Sequence, residues 1–513
     1  MTRFATFATL YMSALFLELA EKWRYPGFTA GILVLGIVLL SAGITRKTFF
    51  LFLAVATTHS VLVQFPDVAN HVNVEICCNI LMMLGIAYSL VRSREFPTDD
   101  DYFEMTRPVL QATMILVYAV AGFDKLNTDF VNPSVSCVRD MMSDLTRMAR
   151  LSPFGVPNGL VMVTGIALVP STLLATWPTG RSIPLAARAG GIGLLMVATL
   201  VALRLGPGVP AAVISAAIMG MALMVILWEL GGGLLLAVPR FQAPVLAFSW
   251  AMHTTLSFIG FVDFGALAAA LLFTFVPAAY QDLTSGPLRT SVFGRRVSRA
   301  QVYFTICLLS GVFSGLHRRV VAAVIFNLAV LVLVWPILSA VLGPSSRVAW
   351  RGVSLRSGRT PVWLFAFPVL LLLHGLTGYL GLRTAGNFSM FSNLRTEGAR
   401  SNHLLLGNNS LKLWGYQEDA VRFVRIDDEQ AAIGYNYQPL QDQQLPAVEF
   451  RKLIYQWTTA GSRVPMSFEY RGRIHSTDDI VHDPVWHTAE KDWEMRLMDF
   501  RVIQPEGANR CRW

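Results

Sequence analysis

Thirteen apolar stretches, each close to the length of a bilayer crossing, set the limits on what this chain can fold into. A helix needs about 20 mostly apolar residues to cross the hydrocarbon. Only helices and closed barrels satisfy their own backbone groups there. The stretches are 4–20, 28–44, 49–65, 72–91, 108–123, 159–177, 185–204, 209–228, 244–260, 263–281, 301–316, 320–342 and 362–382. Three of them (4–20, 108–123 and 301–316) are short enough to be half-buried, so the expectation is an all-α polytopic membrane helix bundle of about 10–13 spans. Composition agrees: 54% of the 513 residues are hydrophobic and 15% charged, against about 25% charged in soluble domains. That excludes a soluble enzyme, a disordered chain and a nucleic-acid-binding domain, despite a net charge of +9.

In a membrane chain the positive excess marks cytoplasmic loops. With residue 1 inside, the groups Arg289, Arg295, Arg296, Arg299 and Arg347, Arg351, Arg356, Arg359 fall inside. The opposite turns Pro66–Asn70 and Gly206–Gly208 carry no basic residue; the 124–155 segment and Arg318–Arg319 are exceptions. The expectation is an N-terminus inside and a C-terminus outside, in a bacterial inner membrane. The first apolar stretch runs into Glu18, Glu21, Lys22 and Trp23 rather than a cleavage site, and reads as a short first helix with an interfacial end. After Leu382 the composition turns polar. Residues 1–382 are expected to form the membrane domain and 383–513 a small C-terminal α+β extramembrane domain. Its strands are expected near Val421–Ile426 and Ser467–Arg471, where apolar and polar residues alternate, and a helix near Pro446–Thr458. The five cysteines show no CxxC or Cys/His spacing, so neither a metal site nor a disulfide is expected.

Ionisable residues inside apolar spans are costly and mark functional candidates. Here they are Glu18, His59, His71, Glu75, Lys125, Glu229, His253, Asp263, His317 and His374. The histidines other than His71 read as packing residues, and Glu229 and Asp263 as ordinary interfacial carboxylates at helix ends. Two places stand apart. Lys125 is the only lysine between residues 48 and 411; unlike arginine, a desolvated lysine can lose its proton and act as a base. Asn70-His71 opens a helix after a tight turn, where the positive end of the helix dipole favours a neutral imidazole able to donate a hydrogen bond or shuttle a proton.

The segment Ala121-Gly122-Phe123-Asp124-Lys125-Leu126-Asn127-Thr128-Asp129-Phe130, followed by Leu151-Ser152-Pro153-Phe154, resembles the vitamin K-dependent gamma-glutamyl carboxylases and their bacterial relatives, the HTTM-domain proteins. Asn70-His71, the glycine-rich Leu227–Leu236 and the helix holding His253 and Phe258-Ile259-Gly260 resemble further family segments, in the same order. The resemblance implies an enzyme that couples epoxidation of a reduced vitamin K or related lipid quinone by O2 to addition of CO2 at a peptide glutamate. It implies Lys125 as the base and His71 as an assisting group. Asn70, Asp124 and His253 would contribute to the binding site. The chain departs from the family at 391–403, where a tryptophan-rich motif is replaced by polar residues. Of these, Arg395, Glu397, Asn402 and His403 are candidates for binding substrate or the quinone head group. The lipid bilayer, a lipid quinone and a secreted peptide or protein would be the partners. The alternatives are a non-catalytic membrane protein (a transporter or a maturation partner) and another quinone-linked oxidoreductase on the same scaffold.

Overall fold

The computed structural model describes residues 2–21, 44–64, 68–150, 211–342 and 352–511, apart from short breaks at 286, 293–294, 317, 356–357, 399–400, 408–410, 429–430, 432 and 435–437. It also describes isolated positions between 31 and 38. The expected spans 28–44, 159–177 and 185–204 therefore lie outside the described residues, as do Leu151–Phe154 and His317.

Among the described residues, four helical stretches are long and apolar enough to cross a membrane: Asn70–Ser93, Asp99–Asp124, Ile214–Leu235 and Val362–Leu380. In chain order the helices that build the site are α1 (Arg3–Glu21), α2 (Arg46–His59), α3 (Asn70–Ser93), α4 (Asp99–Asp124), α5 (Cys137–Arg150), α6 (Ala211–Ile226), α7 (Gln242–Ser257), α8 (Val262–Phe273), α9 (Arg299–Gly315) and α10 (Arg319–Leu342). Two of them differ from expectation in instructive ways. The helix expected at 108–123 begins nine residues earlier, at Asp99. Thr98 caps it by accepting the Asp101 N–H, and Asp99, Asp100 and Asp101 complement its N-terminal dipole. Pro108 lies inside this helix and does not start it.

Helix α1 is not a lipid-facing span. From Phe4 to Ala20 its residues are almost entirely enclosed, Glu18 included; Lys22 and Trp23, the rest of the expected interfacial end, lie outside the described residues. It packs against α8 and α9, where Gly311 lets Phe16, Leu17 and Ala20 come close. Helix α6 continues through a π-turn, Leu227–Gly232, into a last helical turn, Gly233–Leu235. A Cβ on Gly122 would lie 2.4 Å from the Leu230 backbone nitrogen, and one on Gly233 would lie 2.7 Å from the Tyr118 Cβ. These two glycines set how tightly α4 and the π-turn pack.

The last part of the chain forms a small antiparallel sheet. Its strands are β1 (Ala420–Ile426), β2 (Gln444–Pro446), β3 (Met466–Tyr470) and β4 (Arg473–Thr477), in the order β2-β1-β3-β4. The amphipathic helix α11 (Ala447–Thr459) covers it, with Phe450 against Phe423 and Phe468. The chain between the last span and the sheet is bound to the helices: Gln417 donates to the Gly378 and Leu382 carbonyls, and Asn393 to the Val135 and Asn509 carbonyls. A disulfide joins Cys137 at the start of α5 to Cys511, across a sequence separation of 374. The expectation of no disulfide was wrong, because nothing in local spacing reports a pairing over that distance.

Candidate active site

Lys125 is the residue at which α4 stops, and its ammonium sits at the negative end of the helix dipole. The close approach permitted by Gly122 brings the π-turn alongside, and the Lys125 Nζ lies 2.7 Å from Glu229 Oε2. A π-turn inserts an extra residue into the helical ladder and is a frequent device at functional sites. Here it carries Glu229 on the wall facing Lys125. The Phe130 ring stands 6.0 Å from the ammonium.

Both members of the pair line a cavity with about 800 Å³ of empty space, its open mouth included. Asn70 and His71 line it too, and the remaining wall is aliphatic, aromatic and methionine side chains, among them Val117, Trp228, Phe261 and Phe264. A largely apolar cavity with a few convergent polar groups is the usual form of a small-molecule site. Phe388, Met390 and Phe391 close part of it. Phe388 and Phe391 hold left-handed backbone, φ 72° and 55°, a strained state for bulky residues that clusters at binding sites. Asn70 helps hold it, its Oδ1 accepting the Phe388 N–H at 2.5 Å.

His71 sits in the first turn of α3. Its Nε2 lies 2.7 Å from Asp263 Oδ2 and 3.3 Å from Glu18 Oε2, with Phe264 beside the ring at 5.6 Å. Asp263 is oriented by the Phe264 N–H, which donates to its Oδ1 at 2.7 Å. Three helices that are far apart in the chain (α1, α3 and α8) thus meet at one imidazole. Glu18 and Asp263 are not interfacial carboxylates: each is at most 3% exposed.

The other residues singled out from the sequence fall elsewhere. His253 is one layer behind the cavity: its Nε2 and the Tyr118 hydroxyl share a hydrogen bond of 2.7 Å, and its ring stacks on Tyr118. Asp124 is fully buried and accepts the Tyr379 hydroxyl at 2.6 Å. The four polar candidates in 391–403 do not line the cavity. Arg395 donates to the Gln504 and Gly507 carbonyls, and Asn402 donates to Asp129 Oδ2. Glu397 accepts the Thr396 N–H. His403 donates from Nε2 to the Phe123 carbonyl at 3.0 Å while its Nδ1 accepts two backbone N–H groups. Burial holds its pKa below the ordinary histidine value, against the pull of the Phe123 carbonyl. Asn402 and His403 bind the stretch after the last apolar helix to Asp129 and the end of α4, Arg395 and Glu397 make their contacts within the C-terminal part, and none of the four lines the cavity.

Sequence reasoning set aside Glu229 and Asp263, which pair with Lys125 and His71, as ordinary helix-end groups. The expected span 209–228 stops one residue short of Glu229, whereas the helix runs on through a π-turn to Leu235. Ser152 and its neighbours, part of the motif behind the resemblance, lie outside the described residues. No family model matches this chain, no curated protein matches it, and no solved structure matches it.

Proposed function

We propose that this chain is an integral membrane enzyme of the gamma-glutamyl carboxylase kind, acting on a reduced lipid quinone such as vitamin K hydroquinone. The observation that carries the reading is the Lys125–Glu229 pair set in the wall of an apolar cavity shared with His71. The residues suit such a group. Aliphatic and aromatic side chains surround the space an isoprenoid lipid would need, and the polar side chains of Lys125, Glu229, Asn70 and His71 are available for an oxygenated ring. When bound, the reduced quinone supplies, with O2, the strong base that removes a γ-proton from a peptide glutamate, and CO2 then adds there.

The chain's own part is proton handling and exclusion of water. Glu229 takes the proton of the Lys125 ammonium across 2.7 Å, leaving a neutral amine facing the cavity to accept the hydroquinone proton. Glu229 returns or releases it afterwards. Asn70 holds the Phe388 end of the roof in place, and the roof keeps bulk water from the amine. His71, fixed by Asp263 and Glu18, assists at the opposite polar group of the wall.

The Cys137–Cys511 disulfide supports placing the segment after Lys125 and the C-terminal domain on one non-cytoplasmic side, since such bonds persist in oxidising compartments. In this reading the peptide enters from that side and the quinone from the bilayer.

The test uses detergent-purified wild type and Lys125→Ala, each given reduced vitamin K and oxygen, with epoxide followed by chromatography. Epoxide from the wild type alone is the expected result. Equal epoxide from both would remove Lys125 as the base. No epoxide from either would transfer the weight to a non-catalytic role or another quinone, and the co-purifying lipid would then be extracted and identified.

A further inference from the structure

We infer that Glu18, His71 and Asp263 form a binding site for one first-row divalent cation at the edge of the cavity. One ligand atom from each of the three lies within 4.8 Å of the others. The two edges at His71 Nε2 are 2.7 Å to Asp263 and 3.3 Å to Glu18. Around an octahedral ion with metal–ligand bonds of about 2.1 Å, neighbouring ligand atoms stand about 3.0 Å apart. Two of the three edges are therefore already near that spacing, and the third lies within 4.8 Å.

Hydrogen bonds join the three side chains, Glu18 and Asp263 being bonded to each other as well as to His71, and a cation would take the place of those protons. A neutral imidazole nitrogen carries one hydrogen, and here two carboxylate oxygens converge on the same nitrogen. A cation is bonded by the lone pairs of all three atoms at once. It also offsets two carboxylates that are 1% and 3% exposed, where unbalanced charge is costly.

Two further observations point the same way. Asp263 is held by the Phe264 N–H through its other oxygen, the kind of outer contact that orients a metal ligand. His71, 7% exposed, lines the cavity, and its Nδ1 has no hydrogen-bond partner among the described residues. The donor set is one imidazole and two carboxylates, which favours manganese, iron or zinc over calcium or copper(I). Three protein ligands leave coordination positions open for water or another ligand.

This inference rests on the cluster alone, and holds or fails independently of the quinone reaction. The experiment takes full-length protein in detergent, stripped with a chelator, and titrates it with MnCl2 while free Mn2+ is read by electron paramagnetic resonance. One tight Mn2+ per chain is expected, with imidazole nitrogen coupling in the pulsed spectrum. Asp263→Asn and His71→Ala are expected to weaken binding at least tenfold. If wild type binds neither Mn2+ nor Zn2+ at stoichiometric levels, the site does not exist. Binding without nitrogen coupling, or binding equal in the cluster variants, would also overturn it. The wild-type spectrum decides the matter even if a variant fails to fold.

Discussion

Gly122 and Leu230 approach until there is no room for a side chain between them: a Cβ on Gly122 would lie 2.4 Å from the Leu230 nitrogen and 2.8 Å from its Cα. The obstacle is backbone, which cannot rotate away as a side chain can. Gly122→Ala therefore has to push the π-turn off α4 and draw Glu229 away from Lys125. A cost of about 1–3 kcal/mol is expected for such overpacking, read as a lower unfolding temperature in detergent. A Gly122→Ala protein as stable as wild type would show that α4 and the π-turn are not packed this way.

The Lys125–Glu229 pair should behave as a buried one, with 6% and 14% of the two side chains exposed. Lys125→Met alone leaves Glu229 without its partner, and a loss of about 3–5 kcal/mol is expected. Lys125→Met combined with Glu229→Leu should recover most of that stability, because an apolar pair of similar volume needs no compensation. Thermal unfolding of the four members of this cycle checks it. Additive single and double variants would mean that the two charges do not meet.

The disulfide gives a chemical prediction. In protein unfolded without reductant, thiol alkylation should label Cys77, Cys78 and Cys307 and leave Cys137 and Cys511 unlabelled. Cys511→Ser is expected to cost about 2–5 kcal/mol and to speed proteolysis of the C-terminal domain. Five alkylated cysteines by mass spectrometry would exclude the bond.

A pH effect is expected in the C-terminal domain at Asp479. Burial pushes its pKa up, but a hydrogen bond with His482 and the N–H groups of Val464 and Val481 outweigh that and hold it below the ordinary carboxylate value. A depressed folded pKa contributes stability that is complete above the unfolded value of about 3.9 and is lost as the pH falls through the folded one. Asp479→Asn should therefore destabilise the domain at neutral pH and flatten its acid limb below about pH 4. Parallel acid limbs for variant and wild type would exclude this role.

Much of the layout was legible because period and composition carry it. Alternation at Val421–Ile426 and Ser467–Arg471 marks strands that the structure has at Ala420–Ile426 and Met466–Tyr470, and helix α11 begins one residue after the expected start at Pro446. Lys125, Asn70 and His71 stood out by rarity and position, and all three line the cavity. What escaped was relational. An apolar stretch facing lipid and one facing other helices read alike, so the enclosure of α1, and with it the burial of Glu18, left no local signal. The convergence of Glu18 and Asp263 on His71 needs three helices to meet, and spacing along the chain says nothing of that. The polar run at 391–403 misled for the opposite reason. Its side chains look available in the sequence because their partners, the Gln504 carbonyl, Asp129 and the Phe123 carbonyl, are remote.

The distance between the two bonded cysteines also has a consequence in time. Ribosomes add about 5–20 residues per second, so Cys511 emerges roughly 20–75 s after Cys137, given the 374 residues between them. Throughout that interval the Cys137 thiol has to stay reduced, or be held by an oxidoreductase, while the helices that follow it are inserted. A bond so late cannot guide insertion of the bundle. It acts as a latch closed after the intervening helices are made, and cells deficient in thiol oxidation should accumulate chains whose helices are in place but whose C-terminal region remains open to protease.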